Sequence, residues 1–180
     1  MMGDHGLLWK AFYTFEGCIR IPLIAAAPGR PGGRHSQALV SQIDLLPSVL
    51  DLCGIEEPGA RWTESETPFE RGEERPLVLR PGRSWRGLLD GSAQSIHESV
   101  VIENDDPTTG YQVRTLVTER HRLSIYPGTE EGELFDLDDD PGECRNLWDE
   151  QPELRARLMR KLLMEYSRQT PWYPVPPWNA

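Results

Sequence analysis

Asp4, His5 and Lys10 put a carboxylate, an imidazole and an amine within seven residues, ahead of an apolar run that begins at Ile19. Adjacent carboxylate and imidazole groups are good ligands for a divalent metal ion, but a site needs three or four ligands and the nearby sequence offers no companions. The plainer interpretation is a polar turn flanked by Gly3 and Gly6. Lys10 stands in a mixed apolar setting of Leu7, Leu8, Trp9, Ala11 and Phe12. A partly desolvated ammonium there is suited to hold an oxyanion or neutralise a leaving group. An exposed surface lysine is the alternative.

The other reactive side chains carry less signal. Cys18, Cys53 and Cys144 lie far apart with no Cys-x-x-Cys spacing, so they read as buried or idle thiols. Asp136, Asp138 and Asp140 occupy the first, third and fifth places of a calcium-loop pattern. Pro141 and Leu147 then stand where that pattern needs Gly and Glu, which leaves a solvated turn. His97 and His121 have no nucleophile in reach by sequence and read as surface or strand-end histidines, as does His35 in a Gly/Arg loop. Glu103 to Asp106 close a strand that is a candidate lining for a substrate groove.

Around these residues the chain alternates in α/β fashion. Ile19 to Ala27 is a nearly continuous apolar run bounded by Pro28-Gly29, the pattern of a strand buried on both faces of a parallel sheet. Val40 to Ile43 reads as a second short strand, and Asp44 as the N-cap of a helix with Pro47 in its first turn. Leu46, Val49, Leu50 and Cys53 form its apolar stripe, and Gly54 ends it. Residues 55 to 87 read as an extended loop with one short turn near Ser84 to Leu89. Ser99 to Glu103, Tyr111 to Thr118, His121 to Tyr126 and Glu133 to Leu137 predict an antiparallel meander. Pro152 opens a helix to about Arg168 with Leu154, Leu158, Leu162 and Tyr166 on one face. The tail Thr170 to Trp178 is too rich in proline for a helix and is expected to lie extended against the body.

The string Gly3-Asp-His-Gly-Leu-Leu-Trp-Lys10, with Phe15-Glu-Gly-Cys-Ile-Arg-Ile-Pro-Leu-Ile24, resembles the sulfatases of the alkaline-phosphatase-like superfamily. Ser41 to Ile55, Gly82 to Gly91, Val113 to Leu123 and Glu133 to Leu147 are similar to later motifs of the same family, in the family's order. The resemblance implies an α/β fold: the C-terminal part of an alkaline-phosphatase-like sulfatase domain over residues 1–92, incomplete here, followed by a small α+β subdomain over 93–180. It also implies hydrolysis of a sulfate ester with calcium and a formylglycine nucleophile. Many sulfatases carry two Asp/Glu-His-Gly motifs, and the distance from Asp4 to Lys10 fits the second. The metal ligands are then expected before Met1, so Asp4 and His5 are not carried over as ligands. Lys10 matches the lysine that contacts sulfate, and His5 is a second, weaker candidate. No Cys/Ser-x-Pro-x-Arg motif for formylglycine occurs, so the isolated chain is expected to be inactive.

Bulk composition narrows the partners. With 19 Lys+Arg against 29 Asp+Glu, the formal charge of −10 argues against a nucleic-acid partner, which requires a basic face. No apolar segment approaches the about 18 residues of a membrane span, and no secretory signal is readable. The expected partner is a sulfated small molecule or carbohydrate. A phosphonate or phosphate ester hydrolase of the same superfamily is the close alternative. A non-catalytic fragment or binding module is the alternative of another class.

Overall fold

The computed structural model describes residues 2–8, 13–30, 32–55 and 82–169. The loop expected over 55–87 falls mostly outside the described residues, and the tail expectation over 170–178 falls wholly outside them.

The second half is built as its side-chain patterns predict. β1 (Ser99–Asp105), β2 (Gln112–Thr118), β3 (His121–Ile125) and β4 (Gly132–Asp136) form one antiparallel sheet in sequence order. The β2–β3 connection is the two residues Glu119-Arg120, and Asp106 closes the β1–β2 turn through Thr108 and Thr109. Register assigns each residue to a face, because side chains alternate along a strand. Val101, Leu116, Leu123 and Leu134 line up across all four strands on one face. Helix α4 (Pro152–Gln169) covers that face with Leu158 and Leu162, and Leu147 and Trp148 complete the core. Each fully buried leucine contributes about 1.5–3 kcal/mol. Pro152 sits at the helix start, where a missing N–H costs nothing.

The free edge of β4 is covered by its own downstream segment. Asn146 accepts from the Leu134 N–H (2.9 Å) and donates to the Gly132 carbonyl (3.0 Å), while the Leu147 N–H donates to the Leu134 carbonyl (2.7 Å). Such cover removes an edge that would otherwise recruit another chain.

The first half departs from its predicted elements. Ile19 to Ala27 is not a strand: Ile19 ends the short helix α1 (Glu16–Ile19), and residues 20–27 join no ladder. A strand exists only against a pairing neighbour, and the described residues supply none here. Ile24 is consequently 93% exposed. Val40 to Ile43 is likewise no strand; Gln42–Asp44 form a 3₁₀ turn leading into α2 (Leu45–Leu52). Gly54 ends α2 with φ +68°, and the Ile55 N–H reaches the Leu50 carbonyl, the expected glycine C-cap. The predicted apolar stripe of α2 is not its buried face. Leu46 and Val49 are about half exposed, whereas Pro47 and Ser48 are buried against residues 82–85. The short turn expected near Ser84 is helix α3 (Arg86–Asp90), tied to α2 by Ser84 and Arg86 on Asp51.

Candidate functional site

Lys10 lies outside the described residues, as do Trp9, Ala11 and Phe12. The flanks of that segment are described, and both are anchored. Asp4–Gly6 form a 3₁₀ turn in which His5 adopts φ +55° between Gly3 at +111° and Gly6 at +71°. Left-handed backbone is uncommon for a residue with a Cβ, and here it turns the imidazole onto Phe15. The two rings stack with centroids 3.9 Å apart and planes 12° off parallel. Lys10 is therefore the sequence midpoint of a segment whose two ends are in contact. Asp4 is exposed, and its carboxylate accepts from the Met2 N–H at 3.4 Å.

Phe15 leads to a cluster that the sequence did not signal. It packs on the sheet face opposite α4, where the cross-strand row runs Val117, Arg122, Phe135, and the next runs Thr115, Ser124, Glu133. Arg122 is fully buried. Its guanidinium lies over the rings of both Phe15 (4.8 Å) and Phe135 (4.7 Å), within the distance at which a π-face attracts a cation. Its Nε–H donates to Glu143, and Nη1 donates to Glu133 (2.9 Å), Ser124 (2.8 Å) and Thr14 (3.3 Å). The second oxygen of Glu143 accepts the Glu16 backbone N–H at 2.7 Å. The hydroxyls of Thr14, Thr115 and Ser124 lie within 2.8–3.0 Å of one another. Burial and the neighbouring Glu133 carboxylate push the Tyr126 phenol above its ordinary range, so it stays protonated beside this cluster.

A second, largely buried pair sharpens two sequence readings. Asp44 occupies the N-cap position of α2 as read, but its side chain forms a capping box with Ser41 around the preceding 3₁₀ turn instead of bonding α2, and His97, read as a surface or strand-end histidine, stands two residues before β1 with its ring mostly buried. The Asp44 carboxylate is wholly buried and accepts from the Ser41 N–H (2.7 Å), the Arg83 N–H (2.7 Å) and His97 Nε2 (2.9 Å to each oxygen). It joins the turn before α2, the segment leading into α3 and the approach to β1. Gly82 is required for that approach, because a Cβ there would stand 2.2 Å from the Ile43 carbonyl oxygen.

The remaining candidates stay apart. His121 sits 3.9 Å from Asp136, and burial holds its pKa below the ordinary histidine value. Asp136 is engaged by Arg120, which keeps its carboxyl below the usual range, so the acidic turn is an ion-paired turn. Cys18 is half-buried, and Cys53 and Cys144 are exposed. His35 and His97 line a groove of about 440 Å³ with Arg34, Glu98 and Glu119. Glu103 is exposed on β1, opposite Arg114. Among the described residues no three His, Cys, Asp or Glu side chains converge as a metal site.

Comparison with known proteins decides the family. The family described as N-sulphoglucosamine sulphohydrolase, C-terminal, matches residues 3–169. This chain belongs to the sulfatase family. It is 30% identical over 150 residues to the choline-sulfatase of Rhizobium meliloti (strain 1021), covering 82% of this chain and 25% of that protein. It is 26% identical over 174 residues to the N-acetylglucosamine-6-O-sulfatase of Bacteroides thetaiotaomicron, covering 93% of this chain and 28% of the relative. A phosphonate monoester hydrolase from Silicibacter pomeroyi shares the fold with a TM-score of 0.62 at 26% identity, covering 82% of this chain and 29% of that one. A candidate sulfatase from Bacteroides thetaiotaomicron VPI-5482 superposes with a TM-score of 0.77 at 23% identity, covering 93% of this chain and 34% of that one. The sulfatase chain thus spans about a quarter to a third of the length of these relatives. Its sheet and long terminal helix are the mixed α/β architecture of that superfamily.

Proposed function

We propose that residues 1–180 serve in hydrolysis of a sulfate ester, with Lys10 contacting the sulfate group and His5 a secondary contact. The observation that carries this is the family match over 3–169, which includes Lys10 and both of its anchored flanks. A lysine ammonium held near the sulfate oxygens neutralises the charge that builds on them and on the departing alkoxide. The family's calcium ion and formylglycine supply Lewis-acid and nucleophilic chemistry when present. The residues here do not fit either: no Cys/Ser-x-Pro-x-Arg motif occurs, and no metal cluster forms among the described residues. The family's nucleophile and ion are accordingly not assigned to any of the described residues.

The substrate class proposed is a sulfated small molecule or carbohydrate, in line with choline-sulfatase and N-acetylglucosamine-6-O-sulfatase among the relatives. The test is inorganic sulfate release from choline sulfate, an aryl sulfate and N-acetylglucosamine-6-sulfate by the natural gene product containing this segment. Lys10→Ala is expected to lower kcat/KM by about 10²–10³-fold, the usual cost of removing one oxyanion partner. A second reading, phosphonate monoester hydrolysis, is favoured by the Silicibacter pomeroyi neighbour. Preferential turnover of a phenyl phosphonate monoester would replace the sulfatase reading with that one.

A further inference from the structure

Carboxylates outnumber cations in a chain of net charge −10, and Arg30, Arg86 and Arg120 each take one: Asp90, Asp51 and Asp136. Arg34 is different. It makes no ion pair or hydrogen bond to any described residue. Its guanidinium instead lies against Gly91, the left-handed residue (φ +80°) that ends α3. A Cβ there would stand 2.3 Å from Arg34 Nη2, so the missing side chain makes the seat. Arg34 lines the groove of about 440 Å³, a volume within the roughly 300–1,000 Å³ of small-molecule sites. His97 lines it too, with its side chain only 10% exposed and Nε2 donating to the buried Asp44. That bond commits one ring nitrogen and leaves Nδ1 with no described partner. Among the described residues His35, Gln94 and Glu119, which also line the groove, are unpartnered as well. Glu98, the other acid of the lining, meets Lys161 at 3.4 Å.

We propose that this groove binds a sugar acid, with Arg34 donating to its oxyanion and Glu119 accepting from its hydroxyls. A guanidinium presents a planar fork of N–H donors that matches two oxygens of one anionic group. Arg34 brings that fork to the groove with no carboxylate already on it. The imidazoles of His35 and His97 and the amide of Gln94 add polar groups that serve either an anion or a hydroxyl. Glu119 sets the rest of the ligand. A carboxylate accepts hydrogen bonds and donates none, so it repels a bare anion but suits the hydroxyl groups of a sugar. The oxyanion is a uronate carboxylate or a sugar's sulfo group, since both offer paired oxygens to the fork. Binding of this kind involves no turnover and stands independently of sulfate ester hydrolysis.

The test is calorimetric titration of the natural gene product containing this segment. The probes are glucuronate, 6-deoxyglucose 6-sulfonate (whose C–S bond resists ester hydrolysis), glucose and inorganic sulfate. A sugar acid is expected to bind saturably, with glucose and inorganic sulfate weaker by about tenfold or more. Saturation by one acid alone identifies which oxyanion the groove takes. Arg34→Ala, at an exposed position that the core does not need, is expected to raise Kd about tenfold to a hundredfold. Arg34→Lys keeps the charge without the fork and is expected to recover only part of that loss. Glu119→Gln is expected to weaken the sugar acid by about threefold to tenfold without weakening inorganic sulfate. A Kd in Arg34→Ala within about twofold of the parent would overturn the proposal, because the acid then binds elsewhere. Failure of both acids to saturate would overturn it, as would glucose binding as tightly as the acids. Inorganic sulfate binding as tightly as a sugar acid would reduce the groove to an adventitious ion only.

Discussion

Arg122 stands among carboxylates, hydroxyls and two aromatic rings, and its burial depends on all of them. Arg122→Leu would strand Glu143 and much of Glu133 without a counter-charge. We expect a loss of about 3–5 kcal/mol in unfolding free energy, the range for breaking one side of a buried pair. The double variant Arg122→Leu/Glu143→Leu is expected to recover a large part of it, as urea titrations of the two proteins would show. His121 sets a pH dependence of its own. Burial lowers its folded pKa below 6.5, opposed in part by Asp136. Between the folded and unfolded values the unfolded chain binds the extra proton, so the contribution is full above about pH 6.5 and declines as pH falls. Melting temperature is therefore expected to drop from pH 7.5 to 5.5 less steeply in His121→Gln than in the parent. Asp136 acts lower on the scale: its pKa is held below the ordinary 3.8, so its contribution persists above that value and is lost only as pH falls through the lowered one.

At the scale of elements, the edge of β4 and the segment after it are mutually fitted. Gly132 lies against Trp148, and a Cβ there would meet the indole carbons at 2.3 Å. Gly132→Ala is expected to cost about 1–3 kcal/mol through overpacking, visible as a lowered thermal midpoint. Arg155 holds the other side of the same indole, with its guanidinium 4.9 Å from the ring and Nη1 donating to the Trp148 carbonyl. The strands and α4 were legible in the sequence because alternation and the Leu154, Leu158, Leu162 spacing are local signals. The face of α2 was not. Its leucines obey helical spacing, yet Ser48 and Asp44 are buried because Trp85 and Arg83 direct their N–H groups at them.

For the whole molecule, the two halves differ in how much apolar surface they cover. The sheet buries Leu116, Leu123 and Leu134 completely and α4 buries Leu158 and Leu162 against them, while Ile21, Leu23, Ile24, Leu45, Leu46 and Val49 in the first half remain substantially exposed. Contiguous exposed apolar surface marks a contact site or an aggregation hazard. Residues 1–180 in isolation are expected to self-associate in sedimentation velocity runs, and Leu46→Glu/Val49→Lys is expected to shift them toward monomer. A monodisperse parent monomer would contradict this. The candidate site divides in the same way. His5 was legible as a residue type, but its stacking on Phe15 and that ring's contact with Arg122 were not, since Arg122 reads in sequence as one more charged strand residue.

The sequence by itself determined the elements from Ser99 to Gln169, because their hydrophobic periods, turn residues and Pro152 act over a few residues at a time. It also carried the sulfatase motifs, which need no geometry to be recognised. Only the tertiary structure decided that Ile19 to Ala27 is not a strand, since pairing requires a neighbour that no local pattern can supply. It alone decided the fates of His97 and Arg122. Their partners, Asp44, Thr14 and Glu143, lie 53, 108 and 21 residues away, and burying a charge is favourable only where folding brings such partners together.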